Sequence, residues 1–432
     1  MADRGARRDR LARLTGLVLL AAGGSGAAEA QMLPPDDSLV RFGRYVAVRE
    51  RQIPGYEASG VPVGSFTLYP SLAVSGEYND NVYALGSGKV DDAFVRFEPA
   101  AQLQSNWTRR SLNLSASGQI DRYLHQTSEN EADVNLSAYG IQEIGSGTRI
   151  RLIGRYQEAR ESRESQNAFV LTDRPIRYEA ATAALGLSQR FASILVSGEA
   201  GITRSTYFDG TLRDGGTLDQ TYRDNDLKRL RLRTEIAQSP SLAYFAQVTY
   251  DITDYRRSAT EDFDRNSRSY ELLGGVRFEL PVLARGEVGI GYVNTDYHGA
   301  QFRSFSGLAV RSKVVLFPTQ LTTVTLTAQR SVEDAGIPQS SGYVALSGGV
   351  QVDHELLRSL VLGANVQLER DSFNGIDRHD GRVGVGANAE YKLKRGLSLR
   401  VGYDRLDLSS HGADRYKSFT RDRVLVGVGL RI

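Results

Sequence analysis

The sequence predicts an all-β protein: a transmembrane antiparallel up-and-down β-barrel of about eighteen strands, with short periplasmic turns and long extracellular loops. Three observations carry this expectation. From Ser65 onward, segments of ten to fourteen residues alternate apolar with polar or small side chains. A period of two belongs to strands whose faces meet different surroundings. The connectors alternate short and long, as in barrels that turn tightly on one side of a membrane. No stretch offers the roughly eighteen apolar residues of a membrane helix, and without helices only a closed sheet satisfies the backbone in lipid.

Arg4, Arg7, Arg8, Arg10 and Arg13 precede the apolar run Leu14 to Gly24, and Ala28-Glu29-Ala30 supplies a small-x-small cleavage pattern before Gln31. Residues 1–30 read as an export signal cleaved near Ala30; the residues after Arg7-Arg8 fit twin-arginine export poorly. Residues 31–64, with Pro34-Pro35, Asp36-Asp37 and Arg49-Glu50-Arg51, show little alternation and read as an irregular periplasmic or plug-like segment. Residues 65–432 read as the barrel. Clear strands are SLNLSASGQIDRY from Ser111, TRIRLIGRY from Thr148, LKRLRLRTEIA from Leu227 and SLVLGANVQLE from Ser359. Short connectors are Asn106-Trp107-Thr108, Gly145-Ser146-Gly147, Ser239-Pro240, Pro281-Val282, Phe317-Pro318-Thr319 and Lys394-Arg395-Gly396. Turns near Arg190-Phe191 and between His354 and Arg358 are poorly marked. Long polar loops begin at Glu161 and Phe208.

Parity assigns the faces. In DGRVGVGANAEYKLK, from Asp380, Val383, Val385, Ala387, Ala389, Tyr391 and Leu393 share one side, and Arg382, Glu390 and Lys392 share the other. A charge on the lipid face costs about 2–4 kcal/mol at mid-membrane, so the charged face looks inward. The same rule gives the candidate lumen lining: Arg149, Arg151, Arg155, Arg229, Arg231, Arg233, Glu235, Glu271, Arg277, Glu279, Glu287, Arg311, Lys313, Glu369, Arg382, Glu390, Lys392, Arg400 and Asp404. The arginine rows admit two readings, an electropositive track for an anionic polymer or ladders paired with inward acids. Tyr78, Tyr156, Tyr250, Tyr292 and Tyr403 fall at loop-side ends of outward faces and form a candidate aromatic girdle. Tyr123 has the opposite parity.

Composition excludes several function classes. The 53 basic and 51 acidic residues leave a net charge of +2, which gives no reason to expect a nucleic-acid partner. There is no cysteine, hence no disulfide or thiolate metal site. The five histidines lie in no catalytic motif, so no enzyme activity and no cofactor are expected. Asp209, Asp214, Asp219, Asp224 and Asp226 match no calcium-loop spacing and read as solvated loop.

YEASGVPVGSFTLYPSLAVSGEYNDNVYA from Tyr56, FPTQLTTVTLTAQRSVEDA from Phe317, VDHELLRSLVLGANVQLERDSF from Val352 and the strands after Asp380 resemble the putative β-barrel porin 2 family. The resemblance spans most of the mature chain. It implies a bacterial outer-membrane barrel, often associated with exopolysaccharide or capsule export, and brings no catalytic residues. One departure is the terminal Ile432, where outer-membrane barrels usually end on an aromatic residue. The leading expectation is therefore an outer-membrane channel serving exopolysaccharide secretion. The alternatives are a general diffusion porin for small hydrophilic solutes and a structural or adhesive barrel. Expected partners are outer-membrane lipid, the barrel-assembly machinery, polysaccharide and periplasmic export proteins.

Overall fold

The computed structural model describes residues 38–40, 42–43, 45–168, 172–256, 264–281 and 283–432. The expected export signal and the first residues of the leader lie outside them. In chain order the strands are β1 (Val61–Val63), β2 (Phe66–Asn79), β3 (Asp92–Ser105), β4 (Arg110–Tyr123), β5 (Glu131–Ile144), β6 (Thr148–Arg160) and β7 (Arg177–Phe191). Next come β8 (Ile194–Tyr207), β9 (Gly210–Thr211), β10 (Thr217–Leu218), β11 (Asn225–Ser239), β12 (Leu242–Tyr255), β13 (Ser267–Leu280) and β14 (Ala284–Tyr297). The last are β15 (Phe305–Thr319), β16 (Thr322–Glu333), β17 (Tyr343–Leu357), β18 (Leu360–Phe373), β19 (His379–Lys394), β20 (Leu397–His411) and β21 (Phe419–Arg431).

Strands β2 to β8 and β11 to β21 make a closed antiparallel barrel of eighteen strands, each paired with its chain neighbours. Closure comes from β21 pairing back on β2, from Ser71↔Arg431 to Asn79↔Arg423. Among the described residues, the eighteen barrel strands leave no open edge to seek a partner chain. Barrel strands run from 12 residues in β16 to 16 in β19. At about 3.4 Å per residue and a tilt of about 40°, a 14-residue strand rises about 35 Å, enough to cross an apolar band of about 25 Å. β1 pairs only with the start of β2, and β9 and β10 form a two-stranded flap within one loop.

Turn chemistry explains which connectors were legible. Gly145 and Gly396 take φ of +64° and +70°, and a Cβ on Gly396 would collide with the Arg431 carbonyl. The poorly marked turn after Arg190-Phe191 has Ala192 at φ +46°, a left-handed residue without the glycine that announces one. One connector is corrected. Phe317-Pro318-Thr319 belongs to β15, the turn falls at Gln320-Leu321, and the register slips between Leu316 and Thr319. Pro318 offers no N–H to the ladder, so the chain bulges there instead of turning.

The two faces separate as parity requires. Leu152, Leu232, Ile290, Leu368 and Val426 are each more than half exposed on the outside, while Glu77, Asp121, Glu235, Asp371 and Arg421 are buried inside. This inversion of a soluble core is what lipid outside and polar filling inside demand. Among the described residues, apolar side chains inside gather in small clusters, such as Phe245 with Leu273, Val293 and Ala309.

Candidate channel interior

Inward charges pair along and across the strands. Arg229 grips Asp251 with two hydrogen bonds of 2.7 and 2.8 Å. Arg233 lies 2.8 Å from Glu235 and 2.9 Å from Glu287, with its guanidinium over the Phe245 ring. Arg277 also reaches Glu287, at 3.4 Å. Arg311 reaches Glu271 at 3.2 Å, two strands away; Gly289 and Gly291 on the intervening β14 put no side chain in between. Arg149 meets Glu143 at 2.7 Å near a turn, and Arg151 lies 3.9 Å from Glu199. Asp404 takes Arg423 at 3.0 Å and also holds Arg421. Arg155, Lys313, Lys392 and Arg400 hold the same parity, opposite Thr182, Glu287, Ser398 and Glu390. A second acidic group, Glu77 and Asp121, is joined by Arg96 at 3.4 and 2.7 Å. The net energy of such paired charges is small, because desolvation offsets most of the attraction.

A long loop crosses the interior at the loop end. From β6 the chain from Glu161 to Ala168 reaches strands β18 to β21 on the far side of the ring. Glu164 accepts two hydrogen bonds from Arg421, at 2.7 and 3.0 Å, and its carbonyl accepts one from Arg382 at 3.0 Å. Gln166 donates to Glu369 at 2.9 Å and Asp371 at 2.7 Å, and its carbonyl accepts from Arg378. Nearer its root, Glu161 holds Arg223 at 2.8 Å and Arg163 holds Glu129 at 2.7 Å. Asn167 accepts from the Gly336 amide, while Tyr416 and Lys417 donate to the carbonyls of Ala168 and Arg163. Lys417 lies in the loop before β21, where burial, then the nearby Arg163 charge, pushes its ammonium down to about 8.

The leader makes a second crossing at the turn end. Ser38 donates to Glu235 at 2.8 Å, the Gly43 amide to Glu279 at 3.1 Å and the Val48 amide to Thr323 at 3.0 Å. Arg49 reaches Asp353 at 2.5 Å, Asn388 at 2.6 Å and Glu390 at 4.0 Å; Arg51 reaches Glu355 at 3.0 Å. Glu50 meets Arg285 at 2.5 Å, and Phe42 lies beneath the Arg277 guanidinium. One short segment thus touches β11, β13, β14, β16, β17 and β19, which is possible only from inside the ring.

The candidate girdle tyrosines face outward. Tyr78, Tyr250, Tyr292 and Tyr403 are exposed and Tyr156 is half-buried. Tyr78 donates to Asp91 at 3.1 Å and Tyr403 to Asp422 at 2.6 Å. Tyr123, of the opposite parity, stacks on Phe94 inside. Asp209, Asp214 and Asp219 each cap turn amides, while Asp224, which also accepts from the Tyr207 amide, and Asp226, which also pairs with Arg204, share the Arg256 guanidinium.

Sequence reasoning missed the groups that fix the crossings: Glu161, Arg163, Glu164, Gln166, Arg223, Arg378 and Arg421. Most lie in loops, which have no period to read, and nothing local distinguishes a loop that folds inward from one that stays in solvent. Arg421 has inward parity, so alternation could have found it, but not its partner.

No curated protein matches the sequence at a significant level. Among solved structures, the outer membrane protein OpdK of Pseudomonas aeruginosa aligns with a TM-score of 0.43 at 11% identity, covering 84% of this chain and 99% of that one. OccK2 (OpdF) of the same organism, solved in complex with glucuronate, gives 0.46 at 13% identity, covering 84% and 98%. A family profile described as putative beta-barrel porin 2 matches residues 53–432. The closed barrel and that match agree, and the chain belongs to the putative beta-barrel porin 2 family, a porin-like β-barrel channel of the bacterial outer membrane.

Proposed function

We propose that the protein is a restricted diffusion channel for small hydrophilic solutes, exported with cleavage near Ala30 and lined by the inward charges named above. The observation that carries this reading is the double crossing of the interior, by Glu161 to Ala168 at one end and Ser38 to Arg51 at the other. A hydrated wall of paired charges lowers the barrier for polar solutes, and the two crossings limit their size. The outward tyrosines would sit at headgroup level, where one end of the ring is apolar and the other wet. Export of an exopolysaccharide, the expectation that came with the family resemblance, needs both crossings displaced before a polymer could thread the barrel. Diffusion of small solutes needs no such step.

Planar-bilayer recording separates the readings. Restricted diffusion predicts small, constitutive conductance steps from the mature protein, rising when residues 31–51 are deleted. A barrel silent in both forms contradicts the proposal. Polymer secretion that stops on deletion of the gene, with no conductance in either form, favours the export reading. N-terminal sequencing of the membrane-inserted protein should begin at Gln31.

A further inference from the structure

Resting on the channel reading, we propose that Arg231 and the recess around it form a binding site for a small monoanionic, hydroxylated carboxylate in the barrel wall. Arg231 lies between Arg229 and Arg233 on the inward face of β11, roughly 7 Å from each along the strand. Those two are satisfied, Arg229 by Asp251 and Arg233 by Glu235 and Glu287. Arg231 is different. Its Nε is buried without a hydrogen-bond partner, and among the described residues its guanidinium stands in no ion pair.

The wall had an obvious partner to give it. Glu199 is directly opposite Arg231 in the β8–β11 register, yet its carboxylate lies toward Arg151, at 3.9 Å, and its Oε1 accepts no hydrogen bond. Arg151 in turn lies over Gly186, where an added Cβ would fall 2.9 Å from its Nε. The result is a recess lined by Arg151, Ser197, Glu199, Arg231, Arg233 and Gln247.

The chemistry of the recess selects its occupant. A buried guanidinium N–H without an acceptor is costly, and a planar carboxylate satisfies the fork with two charge-assisted bonds. Glu199 beside the site, and Asp251 on the neighbouring Arg229, repel a second negative charge and so disfavour a dianion. Ser197 and Gln247 are held only by long hydrogen bonds of 3.4 Å, to Arg233 and, for Gln247, also to Thr249, and their remaining donor and acceptor capacity suits hydroxyls. A sugar acid or a short hydroxy acid meets all three requirements.

The test uses the mature protein folded in detergent, titrated calorimetrically with sodium gluconate at low ionic strength, with sorbitol as the uncharged counterpart. The expected result is saturable gluconate binding, none for sorbitol, and a loss of about tenfold or more in R231Q, the worth of one charge-assisted pair. R231K, which keeps the charge without the fork, should retain part of the affinity and serves if R231Q does not fold. Equal gluconate affinity in wild type and R231Q, an equal response to sorbitol, or no gluconate binding by wild type overturns the site. Bilayer currents separate this from the channel reading. A protein that binds gluconate through Arg231 but passes no current refutes the channel and keeps the site. One that conducts but is indifferent to R231Q refutes the site alone.

Discussion

Replacing Arg421 with methionine should release the Glu161 to Ala168 crossing. Arg421 is fully buried and holds Glu164 by two hydrogen bonds, while Asp404 keeps a second partner in Arg423. Methionine preserves much of the length, so the loss falls on the Glu164 carboxylate, left buried without its counter-charge. Removing one partner of a buried pair costs about 3–5 kcal/mol. The loop can relieve that cost by leaving the barrel, where water rehydrates Glu164, so most of it becomes lost docking energy. About 3 kcal/mol multiplies the undocked fraction roughly 150-fold. Hydrogen–deuterium exchange of the peptide containing residues 161–168 reads this directly, because the Glu161, Ser165 and Ala168 amides are bonded to the Ile176, Ser162 and Ser165 carbonyls. E164Q, which leaves no charge to strand, should loosen the loop less, and the double variant should fall well short of the sum of the singles. A change under about threefold in R421M, or additive behaviour in the cycle, would refute the view that this ion pair docks the loop.

The same geometry sets other expectations. Combining R49A with R51A should free the leader crossing and raise single-channel conductance; both arginines are partly exposed, so each clasp is worth only about 1 kcal/mol and either single variant should do little. L232R puts a charge on the lipid face and should cost about 2–4 kcal/mol in urea titration of the vesicle-inserted barrel; an unchanged midpoint would reverse the assignment of faces on β11. Lys417 gives a pH dependence. Its docked-state value near 8 lies below the ordinary 10.5, so docking disfavours the charged form. The undocked state then binds more protons between those values, and docking should strengthen as pH rises from about 8 to 10.5. Exchange corrected for intrinsic rates should show this in wild type, and K417M should abolish it.

How much was legible varies by element. Alternation on β19 or β11 reads plainly, because neighbouring residues meet lipid and water and a misplaced charge is expensive. The turns at Gly145 and Gly396 were announced by glycine, whereas the turn at Ala192 carried no such mark and Pro318 stood for a turn that falls at Gln320-Leu321. Partner choice was not legible: Arg311 passes over β14 to Glu271, and Glu199 lies by Arg151 while its register neighbour Arg231 goes without.

The sequence by itself determined the class of fold, the two faces and the inward identity of the charges, since each is set by a local period tested against lipid. Tertiary structure alone decided which charges neutralise one another and that two irregular segments cross the interior. Those outcomes depend on how eighteen strands stagger on closing and on groups far apart in the chain, 197 residues for Ser38 with Glu235 and 257 for Glu164 with Arg421. No local pattern encodes a meeting at that separation.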